Sequence, residues 1–294
     1  MIKTKDYILN NLKNHLIDDN LKNLSVKNWK EIFSKELSNI FNTKTYGFNP
    51  EFVYRSRINL DKESNHINFF NNTKDLWAIP PKKAKNQGRC NLAGQSLLYC
   101  SSVPMTTIFE LKPKTGESIT ILEYKTNGEI GPLGIVGVND ILNISEDYKR
   151  IFSNHFKNNS EESILLDNIL SNIFKTKSDN TINFPIYNLT NAITQIFLNK
   201  QPINKSIKKI SVPSAIGLIY PSVESKRILG VNLVLKPNFV KLTPWKAYKY
   251  KIIQRHDEHH YDLILTDQAN KILSNGQLVW AEKNDSQIEF LTDL

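Results

Sequence analysis

Four side chains, far apart in the sequence, have types and settings suited to gripping a flat, phosphorylated ligand. Arg89 stands in Gln87-Gly88-Arg89-Cys90-Asn91-Leu92-Ala93-Gly94. An arginine on a loop beside a glycine can present its planar fork to a phosphate through two parallel charge-assisted hydrogen bonds. The glycine lets the ligand or the backbone come close. Tyr99 closes the apolar stretch Ser96-Leu97-Leu98-Tyr99, where its ring can stack on a flat heteroaromatic ring, more strongly on a cationic one. Glu110 falls in the last turn of a short helix announced by Ser102 and Pro104 and ended by Lys112-Pro113. The helix dipole disfavours a carboxylate there, so a functional reason is one explanation for it. Ser222, in Tyr220-Pro221-Ser222, can hydrogen-bond a ligand or orient the glutamate. Each residue also has an ordinary reading: a rim ion pair, a core tyrosine with a satisfied hydroxyl, a surface glutamate, a turn serine.

The elements that must position them are legible from periodicity. Residues 1–47 read as two amphipathic helices; in the second, Val26, Trp29, Ile32, Phe33, Leu37, Ile40 and Phe41 recur at helical spacing and Ser25 can cap the start. Their apolar faces must pack on the rest of the chain or on a second copy, a homo-oligomer through these helices. Tyr46-Gly47-Phe48-Asn49-Pro50 has turn chemistry. Strands are expected at 52–57, 97–101, 118–125 and 134–138. Helices follow at 161–174, with Asn159 and Glu162 as a capping box, and at 187–198. Strands return at 215–220, 231–236, 248–253, 262–266 and 277–281. Strands, then helices, then strands argue for an α+β domain over residues 48–294.

Bulk properties narrow the function. The chain has 294 residues, 40% of them hydrophobic, enough for a sizeable core. The start carries Lys3 and Lys5 but no apolar run after them, so no signal peptide is expected. No stretch is long and apolar enough for a membrane span. The two cysteines, Cys90 and Cys100, give no disulfide framework and read as packing thiols. A cytoplasmic location is the simplest expectation. The net charge of +9 rests mostly on dispersed lysines, with six arginines. The dense runs Lys82-Lys83-Ala84-Lys85 and Lys205-Ser206-Ile207-Lys208-Lys209 read as solvated loops, so direct nucleic-acid binding is not expected. His256, His259 and His260 lack the H-E-x-x-H spacing and sit between two strands, so a polar hairpin tip is expected and no metal. The cluster Gly131, Gly134 and Gly137 has the wrong spacing for a Rossmann dinucleotide site and contains Pro132.

Taken jointly, Gly-Arg-x-Asn-x-x-Gly, Leu-Tyr, Ser-Ser-x-Pro and the helical Glu resemble the front half of the RES domain. Gly-Leu-Ile-Tyr-Pro-Ser-Val with Gly-x-Asn-Leu-Val-Leu resembles its back half. The likeness covers about residues 52–236; residues 1–47 and the C-terminal strands of 237–294 fall outside it. Tyr54-Arg55 looks like the tyrosine-arginine pair that often opens the domain. The resemblance implies an ADP-ribosyltransferase-like core of two curved, mainly antiparallel sheets with flanking helices, here preceded by the N-terminal helical pair. It implies Glu110, Arg89, Tyr99 and Ser222 as catalytic residues, with Asn91, Tyr54 and Arg55 joining Arg89, Tyr99 and Ser222 around the ligand. That ligand is NAD as substrate, with no cofactor required and inorganic phosphate as an optional co-substrate. Members are bacterial toxins that degrade NAD by hydrolysis or phosphorolysis and are neutralised by an antitoxin with a helix-turn-helix domain.

On that reading a fixed carboxylate at Glu110 faces the ribose as positive charge develops on it. Arg89 anchors a phosphate, Tyr99 stacks on nicotinamide or shapes its pocket, and Ser222 holds the nucleotide or Glu110. Lys82, Lys83 and Lys85 would favour an anionic acceptor. Two other classes stay open: an ADP-ribosyltransferase that modifies a protein, and a non-enzymatic basic binding module.

Overall fold

The computed structural model describes residues 4–13, 21, 23–59, 70–152, 159–176, 186–199, 214–222, 230–257 and 260–282. The basic run at 205–209 and His259 lie outside these residues. Seven α-helices and ten strands alternate irregularly among them. The helices are α1 (Lys5–Lys13), α2 (Val26–Lys35), α3 (Pro104–Leu111), α4 (Val138–Leu142), α5 (Glu146–Phe152), α6 (Glu161–Lys175) and α7 (Ile186–Leu198). The strands are β1 (Thr45–Phe48), β2 (Phe52–Ile58), β3 (Leu98–Ser101), β4 (Ser118–Thr126), β5 (Ile130–Ile135), β6 (Gly217–Pro221), β7 (Val231–Leu235), β8 (Leu242–Arg255), β9 (Tyr261–Ile272) and β10 (Leu278–Glu282). The α+β class is as expected.

Where two separate sheets were expected, the strands form one hydrogen-bonded run, β1-β5-β6-β7-β3-β2-β4-β8-β9-β10. Its pairs are antiparallel except β5 with β6. The join between β3 and β2 is a single register pair, Tyr54↔Ser101. Beyond it β2 stays with β4 down to Ile58↔Ile119, and β3 stays with β7 up to Leu98↔Leu235. The two halves therefore part on one side of that pair, and a cleft opens there.

Burial patterns explain the layers. β6 and β7 are buried at every position, since helices cover one face and loops and α4–α5 the other. Continuous apolar runs are what such two-sided burial requires. β9 alternates instead, with Tyr261, Leu263 and Leu265 inward. α3 lays Ile108 and Phe109 on that half of the sheet, against Ile119, Ile121, Ile252 and Leu263. The apolar faces of α1 and α2 (Ile8, Leu12, Trp29, Phe33) pack into the cluster formed with α6, α7, Leu218 and Val234. Of the two expected resting places for these faces, the chain itself supplies one.

Three local expectations are corrected. Tyr46 to Pro50 is not a turn: Thr45–Phe48 forms the edge strand β1 on β5. The expected strand at 134–138 ends at Ile135, and Val138 starts α4. The cap of α6 is Ser160, whose side chain accepts from the Ser163 N–H, not the pair Asn159 and Glu162. Ser25 does cap α2, accepting from the Asn28 N–H at 3.2 Å.

α4 depends on a carboxylate from α6. Asp167 accepts from the Gly137 N–H at 2.8 Å and the Val138 N–H at 2.7 Å. Gly137 lies in the left-handed region at φ 73°, and a Cβ there would meet Ser171 Oγ at 2.7 Å. Asp167→Ala leaves both amides open and is expected to cost about 2–3 kcal/mol, read by urea denaturation. Burial pushes the Asp167 carboxyl up to about 6, against the backbone amides that lower it. A raised native value means the folded state holds the proton more tightly. That contribution is full below the ordinary 3.8 and is lost as pH rises through about 6. The wild type is therefore expected to lose Tm relative to Asp167→Asn between about pH 4 and pH 7.

Candidate functional site

The cleft beside the β2–β3 join has a volume of about 350 Å³. β2 contributes Arg55 and Arg57, β3 contributes Tyr99 and Cys100, and α3 contributes Glu110; Tyr220 and Asn232 come from β6 and β7. The size suits a small-molecule pocket. Ser56 on β2 and Thr107 on α3 share a hydroxyl hydrogen bond that ties the helix to the strand beneath it.

Glu110 is exposed at the last turn of α3. Its Oε1 accepts from Ser222 Oγ at 2.8 Å and from Asn232 Nδ2 at 2.8 Å. Ser222, just past β6, is fully buried, and Asn232 is 5% exposed. Both donors are neutral, so they orient the carboxylate without themselves neutralising it.

Tyr99 lines the cleft, but its hydroxyl is engaged behind it, donating to Asn91 Oδ1 at 2.9 Å and accepting from the Cys90 N–H at 3.0 Å. Asn91 thus braces Tyr99 through the loop and is not among the cleft-lining residues. Burial raises the hydroxyls of Tyr99 and Tyr220 well above the ordinary tyrosine value, so both are neutral. Burial also pushes Cys90 and Cys100 up to about 12. Both cysteines are free and buried, as packing thiols should be.

Arg89 is placed differently from the expectation. Its Nη1 donates to the carbonyls of Phe174 and of Thr176 (3.0 Å), at the C-terminal end of α6. A cation is favoured at that end of a helix, and the guanidinium also lies 6.0 Å from the Tyr187 ring centroid. The loop is clamped to α7 by Thr190 Oγ1 donating to Arg89 O (2.6 Å) and Asn191 Nδ2 donating to Gly88 O (2.7 Å). The Tyr220 hydroxyl feels the charges of both Arg89 and Glu110, but Arg89 is not among the residues that line the cleft.

The arginines inside the cleft are Arg55 and Arg57. Arg55 is 8% exposed, with Nη1 donating to the Tyr99 carbonyl at 2.8 Å. Its Nε is buried and has no partner among the described residues. Burial lowers the Arg55 guanidinium from its ordinary value and brings Arg57 down to about 10, helped by the neighbouring Arg55 charge. Neither forms an ion pair among the described residues. Two cations held together in a cleft this way favour an anion with two negative centres. Tyr54 faces away: it packs with the α3 cluster, and burial and Glu123 push its hydroxyl up to about 12.

Arg57 and Asn232 were not among the expected site residues, although both left a signal. Arg55 and Arg57 are two apart on a strand and so share a face. Asn232 interrupts the buried run Val231-Asn232-Leu233-Val234-Leu235, where asparagine is disfavoured.

His256 and His260 occupy the β8–β9 hairpin, bound to Asp262 (2.8 Å) and Asp257 (2.5 Å). Among the described residues no group of three or more His, Cys, Asp or Glu is arranged to hold a metal, and no helix is long and apolar enough to cross a membrane. No family model, curated protein or solved structure matches the chain.

Proposed function

We propose that the cleft cleaves the bond between nicotinamide and ribose C1′ of NAD. The supporting observation is an exposed carboxylate, Glu110, held by two neutral donors in the same cleft as two arginines that form no ion pair among the described residues. The dinucleotide diphosphate lies on Arg55 and Arg57, and the nicotinamide ribose lies toward Glu110. Tyr99 and Tyr220 form the apolar wall for the leaving ring. Nicotinamide departs as a neutral base, taking the electron pair of the C–N bond, so no general acid is required. The charge left on the sugar is met by the Glu110 carboxylate. Water or phosphate then forms the new C1′–O bond; with water, the proton passes to solvent.

In this reading the splayed sheet is the ADP-ribosyltransferase-like cleft that the RES resemblance implies, and Arg89 acts indirectly by bracing the loop behind Tyr99. The reaction depletes cellular NAD, as a bacterial toxin held in check by an antitoxin does. Lys82, Lys83 and Lys85 are exposed in the segment after the cleft residue Ile79 and draw an anionic acceptor toward it.

The test is consumption of NAD by the purified protein with and without phosphate. ADP-ribose alone is expected without phosphate, and ADP-ribose 1″-phosphate in addition with it. Products unaffected by phosphate remove the anionic acceptor. With labelled NAD and cell extract, label left on a protein band favours transfer to protein. Untouched NAD together with salt-dependent DNA binding favours the binding module.

A further inference from the structure

We infer that Asn232 is the positioning residue that aims Glu110, an assignment that rests on the reading of the cleft as the NAD site. The sheet itself has no need for an amide at this position. The backbone of Asn232 pairs with Ser101 on one side and Tyr220 on the other, and its neighbours Val231 and Leu233 are fully buried. An apolar side chain would suit such a strand better. The asparagine instead directs Nδ2 to Glu110 Oε1 at 2.8 Å.

Its own placement is strongly fixed. The start of β7 is stapled to the segment before α3: Val231 N–H donates to Ser102 Oγ (2.9 Å), Ser102 N–H to Val231 O (3.0 Å), and Ser101 Oγ to Val231 O (3.0 Å). Gly230 permits this approach, because a Cβ there would meet Val103 Cγ2 at 2.3 Å and Thr106 Oγ1 at 2.6 Å. The strand that carries Asn232 is thus locked to the helix that carries Glu110, and the amide closes the link at the helix's far end.

The choice of an amide has chemical content. Lysine or arginine would neutralise the charge needed beside the sugar. Aspartate would set a second carboxylate against the first. A neutral donor orients Glu110 and leaves its charge intact for the transition state. Ser222 binds the same oxygen, but it does so from the end of β6, so the two donors fix the carboxylate from two directions.

The experiment compares wild type, Asn232→Ala, Asn232→Asp, Glu110→Gln and the double variant Asn232→Ala/Glu110→Gln in NAD turnover. Asn232→Ala is expected to lower kcat about 10–100-fold, less than removal of a group that acts directly on the charge. KM is expected to stay within about threefold, because the arginines that hold the diphosphate are untouched. Asn232→Asp, which conserves shape and so retains the fold, is expected to lose at least as much. The double variant is expected to be no slower than Glu110→Gln alone, since an aiming residue has nothing left to aim. An unchanged kcat in Asn232→Ala, or losses that multiply in the double variant, overturns the assignment while leaving the NAD reading standing. Absence of turnover by the wild type overturns both.

Discussion

Glu110→Gln is expected to reduce the rate of NAD cleavage by about 10²–10³ while leaving the folded protein unaltered. The side chain is exposed and ends a helix whose apolar positions, Ile108 and Phe109, make the packing contacts. Glutamine has nearly the same shape, and its carbonyl oxygen can still accept from Ser222 Oγ and Asn232 Nδ2. What disappears is the negative charge. A loss of that size, with Tm unchanged and KM near the wild-type value, assigns the effect to charge stabilisation and not to binding. Equal consumption of NAD by both proteins would falsify the role given to this carboxylate.

Arg55→Met and Arg57→Met are expected to act on binding. A charge-assisted hydrogen bond to a phosphate contributes about 1.5–3 kcal/mol, so each substitution should raise KM roughly 10–100-fold, with a smaller effect on kcat. The complementary measurement is thermal. ADP-ribose at about a hundred times its Kd stabilises the native state by about 2.7 kcal/mol, several degrees of Tm for a chain of this length. The double arginine variant should show no such shift. If Arg89→Met abolishes the shift while the double variant keeps it, the phosphate contact belongs to Arg89, and the cleft must rearrange to bring that side chain in from the end of α6.

Much of the architecture was legible because burial leaves a direct imprint on residue order. β6 and β7 are covered on both faces and read as apolar runs, interrupted in β7 by Asn232, while β9 is buried at alternate positions. The cap at Ser25 and the limits of α3 follow from side-chain chemistry local to each end. What could not be read depended on distant partners. β1 looked like a turn because Gly47 and Pro50 punctuate it, yet its pairing with β5 is decided more than eighty residues away. Arg89 carries the composition of a phosphate loop; its direction is set by where the C-terminal carbonyls of α6 arrive, which nothing near residue 89 specifies. Asn232 lies in the stretch Gly230-Val231-Asn232, but its contact with Glu110 appears only when the end of α3 is beside it. The link between Ser222 and Glu110, by contrast, was one of the two roles open to that serine, and the hydrogen bond between them is present.

The long-range closure of the Glu110 site governs the order in which a growing polypeptide can complete it. The donors that hold Glu110 lie 112 and 122 residues further along the chain. β3, which floors the cleft, finds its second neighbour only in β7. A nascent chain emerging from the ribosome therefore exposes Arg55, Arg57, Tyr99 and Glu110 long before their supports exist, and contacts this remote form late in folding. Fragments cut short before residue 222 carry the Glu110 carboxylate without Ser222 and Asn232, so on the proposed function they are expected to be inactive toward NAD.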